Sequence, residues 1–207
     1  MAPTPHQNIY IVGAQCTGKT TLVNALEVSL DSHPVSDRAA IIREVARTVL
    51  KEHGFSAHDL RTSQEKTMAF QALILQAQDR AETAALEGAS YFISDRSGID
   101  PIVYAMELVG HESAGSLLQS REWLVLRERM QRSIVVVCEP GADWLTDDGV
   151  RLMPLDQTEW REIHEAFCNA LNDNKIPYSV LGHEVTDLVD RVSFIWSLGD
   201  AASSSVL

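Results

Sequence analysis

Apolar runs of four or five residues recur along the chain, and most are followed by a longer stretch in which apolar positions return every three or four residues. The short runs are Ile9–Val12, Ala39–Ile42, Tyr91–Ser94, Ile134–Cys138 and Tyr178–Leu181, largely β-branched and aromatic in composition, and they predict strands. Between them, Phe70, Leu73, Ile74, Ala77 and Ala81 share one face of a helix expected over Ser63–Glu87. Trp160, Ile163, His164, Phe167 and Leu171 do the same over Gln157–Asn172. The segment from Asp100 to Arg132 reads as helical with a break near Gly110. Strands that are apolar throughout are buried on both faces. Alternating with helices, they predict an α/β fold: a five-stranded parallel sheet covered by helices on both faces.

Composition bounds this picture. With 207 residues and 45% hydrophobic content, the chain suits one domain, expected over residues 1–199. The small polar residues of 200–207 have little to bury and predict a flexible tail. The net charge is −12, and no run of Lys or Arg is long enough to follow a phosphate backbone or an anionic bilayer. Nucleic acid and membranes are therefore not expected partners. No apolar stretch is long enough to span a bilayer, and "MAPTPHQN" lacks the layout of a secretory signal, so a cytoplasmic location is expected. Cys16, Cys138 and Cys168 are odd in number and lack metal-type spacing, as expected of reduced thiols.

The chemistry begins just after the first strand. Gly13-Ala14-Gln15-Cys16-Thr17-Gly18-Lys19-Thr20 fits G-x-x-x-x-G-K-[ST] at every fixed position and lies between a predicted strand and a predicted helix. Such a loop holds a polyphosphate, because backbone N–H groups and the helix N-terminus point at anionic oxygens while glycine permits close approach. Gly13, Ala14, Gln15, Cys16, Thr17, Gly18, Lys19, Thr20 and Thr21 are thus expected to bind nucleotide. Lys19 would offset β/γ charge and the Thr20 hydroxyl would ligate Mg²⁺, making ATP and Mg²⁺ the expected cofactors. Cys16 is either an activated thiol or a small side chain turned away from the phosphates.

Phosphoryl transfer also needs carboxylates beyond the strand ends. "YFISDRSGID" places Asp95 at the end of a strand, where it would hold the metal, and Arg96 directly after it. Asp100 there reads as a helix cap. "AAIIREVAR" offers Glu44 as base or positioning group for an acceptor hydroxyl, or alternatively as a surface partner of Arg47. "VVVCEPGADWLTDDGVRLM" opens from the fourth strand into a candidate lid near residues 139–156, with Trp144, Asp147, Asp148, Gly149 and Arg151; a lid arginine would meet the migrating phosphoryl group. Trp144 and Trp160 would stack on a base or pack the lid. Arg127, Arg129 and Arg132 read as helix-face charge.

Taken in order, the phosphate loop, "REVAR", "DRSGIDPIVYA" and "DWLTDDGVR" resemble the P-loop kinase fold of nicotinamide riboside kinase domains joined to bacterial NAD-salvage regulators (NadR-like). They are more similar still to a fungal group described as AAA-type ATPase or NadR-like kinase domain proteins. The resemblance runs from about Ile9 to Trp196. It implies a P-loop NTPase fold of nucleoside/nucleotide-kinase type, with Lys19 and Thr20 at ATP and Mg²⁺, Glu44 and Asp95 at acceptor and metal, and Arg151 in the lid. The Asp95-Arg96-Ser97 triplet is similar to the acid-Arg-Ser motif of deoxynucleoside kinases, which implies a phosphate contact for Arg96. Val45 stands where the bacterial kinases often carry tyrosine, and no pattern names the acceptor or the oligomeric state. The expectation is an ATP- and Mg-dependent kinase acting on a nucleoside, nucleotide or similar metabolite. The alternative is a P-loop ATPase or nucleotide switch acting with a protein partner.

Overall fold

The computed structural model describes residues 7–30, 39–141 and 156–204. In chain order the elements are β1 (Ile9–Val12), α1 (Lys19–Leu30), β2 (Ala39–Ile42), α2 (Val45–His53), α3 (Ala57–Thr62), α4 (Gln64–Gly88), β3 (Tyr91–Asp95), α5 (Ile99–Val109), α6 (His111–Leu118), α7 (Arg121–Met130), β4 (Ile134–Cys138), α8 (Gln157–Asp173), β5 (Ser179–Leu181) and α9 (Leu188–Ser204). All five strands pair in parallel, in the order β2-β3-β1-β4-β5.

Burial on both faces explains the unbroken apolar strands. On β1, Tyr10 and Val12 pack with Phe92, Val135, Trp160 and Phe167, whereas Ile9 and Ile11 pack with Leu22, Leu26, Val136 and Ile195. Helices α4, α5 and α8 thus share one side of the sheet with α7, and α1 and α9 cover the other. β1 lies between β3 and β4, so the chain reverses its direction of sheet growth across β1. Its carboxyl end is the crevice where open parallel sheets place ligands.

The break expected near Gly110 is real: α5 ends there, and Gly110 takes φ +106 before α6 begins. Helix α3 has no apolar periodicity to announce it and is started by a capping box. The Ser56 side chain accepts from the Asp59 N–H while Asp59 accepts from the Ser56 N–H. Its Leu60 joins Val49, Phe70 and Ile74 in a small separate core under α2 and α4. Helical backbone in α9 runs through Ser204. No described helix is long and apolar enough to cross a membrane.

Candidate functional site

The loop from Gly13 to Gly18 leaves β1 against the end of β4. A Cβ on Gly13 would lie 2.8 Å from the Cys138 carbonyl oxygen, and φ there is +126°, so both space and backbone demand glycine. Lys19 opens α1 and is buried, its Nζ donating to the Ala14 carbonyl and, at 3.1 Å, to Thr17 Oγ1. The ammonium thus caps the loop from within. Burial, and then the nearby Arg96 charge, lower its pKa from 10.5 to about 8. Thr20 and Thr21 follow on the exposed side of the helix start.

Asp95 ends β3 beside this loop, because β3 is the direct neighbour of β1. Thr20 Oγ1 donates to Asp95 Oδ2 at 2.6 Å, while Asp95 Oδ1 is buried and has no hydrogen-bond partner among the described residues. A hydroxyl and a carboxylate with an oxygen to spare are the hard ligands that Mg²⁺ takes, so Thr20 and Asp95 fit that ion.

Arg96 continues past the strand with φ +83°, an uncommon conformation for a residue with a side chain; its N–H still pairs with the Ile11 carbonyl at 3.0 Å. This turn sends the guanidinium to Glu44 (Nε to Oε1, 2.6 Å) and Asp100 (Nη1 to Oδ1, 3.0 Å). The pairing of Glu44 with Arg47 is present, its Oε2 accepting from Arg47 Nε at 2.8 Å, while its other oxygen turns inward to Arg96. Asp100 is not the cap of α5: the N-cap is Gly98, without a side-chain cap, and Asp100 lies inside the first turn, buried, accepting from the Ser97 N–H at 2.8 Å and bracing Arg96. Burial pushes the Asp100 carboxyl up, against the pull of Arg96 and Lys19.

Next to this ion cluster opens a cleft between α2, α4 and α5, walled by Val45, Leu50, Leu60, Phe70, Ile74 and Tyr104, with Gln15, Glu44, Arg96 and Asp100 at its polar end. Gln71 lines it too, buried, with Oε1 lacking a hydrogen-bond partner among the described residues. Gln71 was invisible in the helical pattern, where a glutamine beside Phe70 reads as solvent-facing.

Several other expectations resolve. Trp160 is buried and donates from Nε1 to the Gln15 carbonyl at 2.7 Å, so it serves the loop and does not stack on a base. Arg129 is not helix-face charge: it pairs with the fully buried Glu82 at 2.6 Å, where Tyr10 also donates at 2.7 Å. Arg132 does lie at the surface, paired with Glu128. Cys16 packs half-buried against the core, and all three cysteines are free thiols. Arg151, Trp144, Asp147, Asp148 and Gly149, with most of the candidate lid, lie outside the described residues. Arg191, which no motif marks, donates from α9 to the Thr17 carbonyl at 3.0 Å.

A phosphate loop after the central strand, with a strand-end aspartate on its threonine, defines the P-loop class of parallel α/β proteins, and the comparisons agree. The AAA domain family model matches residues 8–191, and the chain belongs to that family. The fold is similar to that of NadR protein in complex with NR (TM-score 0.69, 20% identity, covering 92% of this chain and 52% of that one). It is also similar to deoxyadenosine kinase from M. mycoides (0.64, 16%, 94% and 99%) and to thymidylate kinase from Candida albicans (0.61, 14%, 96% and 92%). The chain therefore spans about half the length of the NadR chain and nearly all of that deoxyadenosine kinase. At these identities the likeness is one of fold. No curated protein matches the chain.

Proposed function

We propose that this protein is an ATP-dependent kinase that phosphorylates a hydroxyl of an unphosphorylated, nucleoside-like metabolite. The observation that carries the reading is the apolar cleft of Phe70, Gln71 and Tyr104, whose polar end at Arg96, Glu44 and Asp100 adjoins the Thr20–Asp95 pair. In that arrangement an acceptor is sheltered from water next to the phosphate loop, the juxtaposition that in-line transfer needs. Lys19 leaves its loop carbonyl for the β/γ-phosphates. Mg²⁺ bound by Thr20 and Asp95 would supply charge neutralisation to the transferring group.

Arg96 is matched by Glu44 and Asp100, and Arg47 by Glu44, so a phosphorylated acceptor would find these cations already engaged; an unphosphorylated hydroxyl compound fits better. Glu44, with each oxygen accepting from an arginine, is suited to orienting a hydroxyl more than to removing its proton. NadR in complex with NR and the deoxyadenosine kinase make nicotinamide riboside and deoxynucleosides the first acceptors to try.

The test is incubation with ATP and Mg²⁺ against nucleosides, nucleoside monophosphates and nicotinamide riboside, with ADP and phosphorylated product followed by mass spectrometry and Lys19→Ala as control. Product from a nucleoside supports the reading. ADP with free phosphate whatever is added favours a nucleotide switch acting with a protein partner, the reading that the AAA domain match supports.

A further inference from the structure

A loop that holds phosphate turns N–H groups inward, so its carbonyls turn outward into the protein, where each buried one needs a donor. Two of them are met from the far end of the chain, 145 and 174 positions away. Trp160 of α8 donates to the Gln15 carbonyl at 2.7 Å, and Arg191 of α9 donates to the Thr17 carbonyl at 3.0 Å; both side chains are almost completely buried. The same Arg191 Nη2 lies 3.5 Å from Cys138 Sγ, so one guanidinium joins the loop to the end of β4.

Between the two anchored carbonyls sits Cys16, whose φ of +55° is left-handed although the residue is not glycine. Such a conformation persists where the surroundings over-determine it. Because C=O and N–H are antiparallel across a trans peptide, pinning the Gln15 carbonyl aims the Cys16 N–H away from α8, and pinning the Thr17 carbonyl aims the Gly18 N–H away from α9.

We propose that Trp160 and Arg191 are positioning residues that preset the phosphate loop, holding the Gln15–Cys16 and Thr17–Gly18 peptide planes in the orientation that receives a polyphosphate. The inference rests on the nucleotide reading of this loop. The two side chains act on nucleotide affinity through preorganisation of the loop.

Trp160→Phe keeps an aromatic six-membered ring and removes the N–H together with the rest of the pyrrole ring, Arg191→Met keeps the stem and removes the donors, and Arg191→Lys keeps the charge. The probe is a fluorescent N-methylanthraniloyl derivative of ATP titrated onto the purified protein, with melting temperature measured in parallel. Trp160→Phe should weaken binding about three- to tenfold and Arg191→Met about tenfold or more, with Arg191→Lys in between. A merely structural role would lower the melting temperature and leave the dissociation constant of the folded protein unchanged; that result overturns the proposal, and Trp160→Phe alone decides it if Arg191→Met folds poorly. Wild-type protein that fails to bind the probe removes the nucleotide reading and this inference with it, whereas unaltered binding in the variants removes this inference alone.

Discussion

Thr20 Oγ1 and Asp95 Oδ2 meet at 2.6 Å across 75 positions of sequence. The contact joins the start of α1 to the end of β3, two places that are adjacent only because β3 lies beside β1. It leaves Asp95 Oδ1 buried without a hydrogen-bond partner among the described residues, an oxygen of the kind that a divalent cation or its water would suit.

Asp95→Asn preserves shape and removes the charge. Turnover at a fixed Mg²⁺ concentration should fall on the order of 10²–10³-fold, while nucleotide binding in EDTA stays near wild type. Kinetics across a Mg²⁺ titration check this, and an unchanged Mg²⁺ dependence would take Asp95 out of the metal site.

Lys19 is depressed to about 8 from 10.5 in the folded protein. Between those values the unfolded chain holds the proton and the folded chain has released it, so this group makes stability rise with pH from about 8 to 10.5, by about 3 kcal/mol in all. Phosphate binding has the opposite slope, because it needs the ammonium: nucleotide affinity should decline above pH 8. Lys19→Met should flatten both profiles, which chemical denaturation and nucleotide titration over pH 7–10 would reveal.

Gly13→Ala places a Cβ 2.8 Å from the Cys138 carbonyl at a φ that L-residues avoid. Either β4 shifts or the loop does, at a cost of about 2 kcal/mol or more, and nucleotide affinity falls with it. Gly54→Ala, at φ +69 with nothing within 4 Å, is the matched control and should cost only about 1 kcal/mol. Equal melting temperatures for the two variants would deny the close approach its importance.

Arg129→Met strands the buried Glu82 carboxylate among Tyr10 and Gln78. Removal of one partner from a buried pair costs about 3 kcal/mol, and Glu82→Gln in the same chain should recover part of it. A double-mutant cycle by denaturant unfolding measures the recovery; its absence would mean the pair is not coupled.

Gln71→Leu tests the cleft. On the proposed reading it raises KM for the acceptor about ten- to a hundredfold and spares nucleotide affinity, since only the acceptor reaches the amide. A rise in the dissociation constant for ATP instead would place Gln71 in the nucleotide half of the site.

Much of the architecture was legible because its physics is local. The four-residue apolar run Ile9–Val12 matches the observed strand at both ends, since a strand buried on both faces has no polar position to blur its limits, and Ala39–Ile42 matches too, although as an edge strand it is only partly buried. The phosphate loop was legible for a related reason: the need for glycine and for a lysine at the helix start is written within eight consecutive residues. The polar residues that α4 buries were not. Gln71, Gln78 and Glu82 face the interior because Ser94, Tyr10 and Arg129 or the cleft meet them there, and no periodicity marks a polar side chain whose partner lies on another element.

The sequence by itself determined a parallel α/β sheet and a loop shaped for phosphate, because hydrophobic period and glycine spacing act over one turn or one strand. Tertiary structure alone decided that Asp95 would reach Thr20, that Arg96 would stand between Glu44 and Asp100, and that Trp160 and Arg191 would hold the loop from behind. Those contacts depend on strand order and helix packing, which bring distant residues to one sheet edge without leaving any mark in the spacing of either.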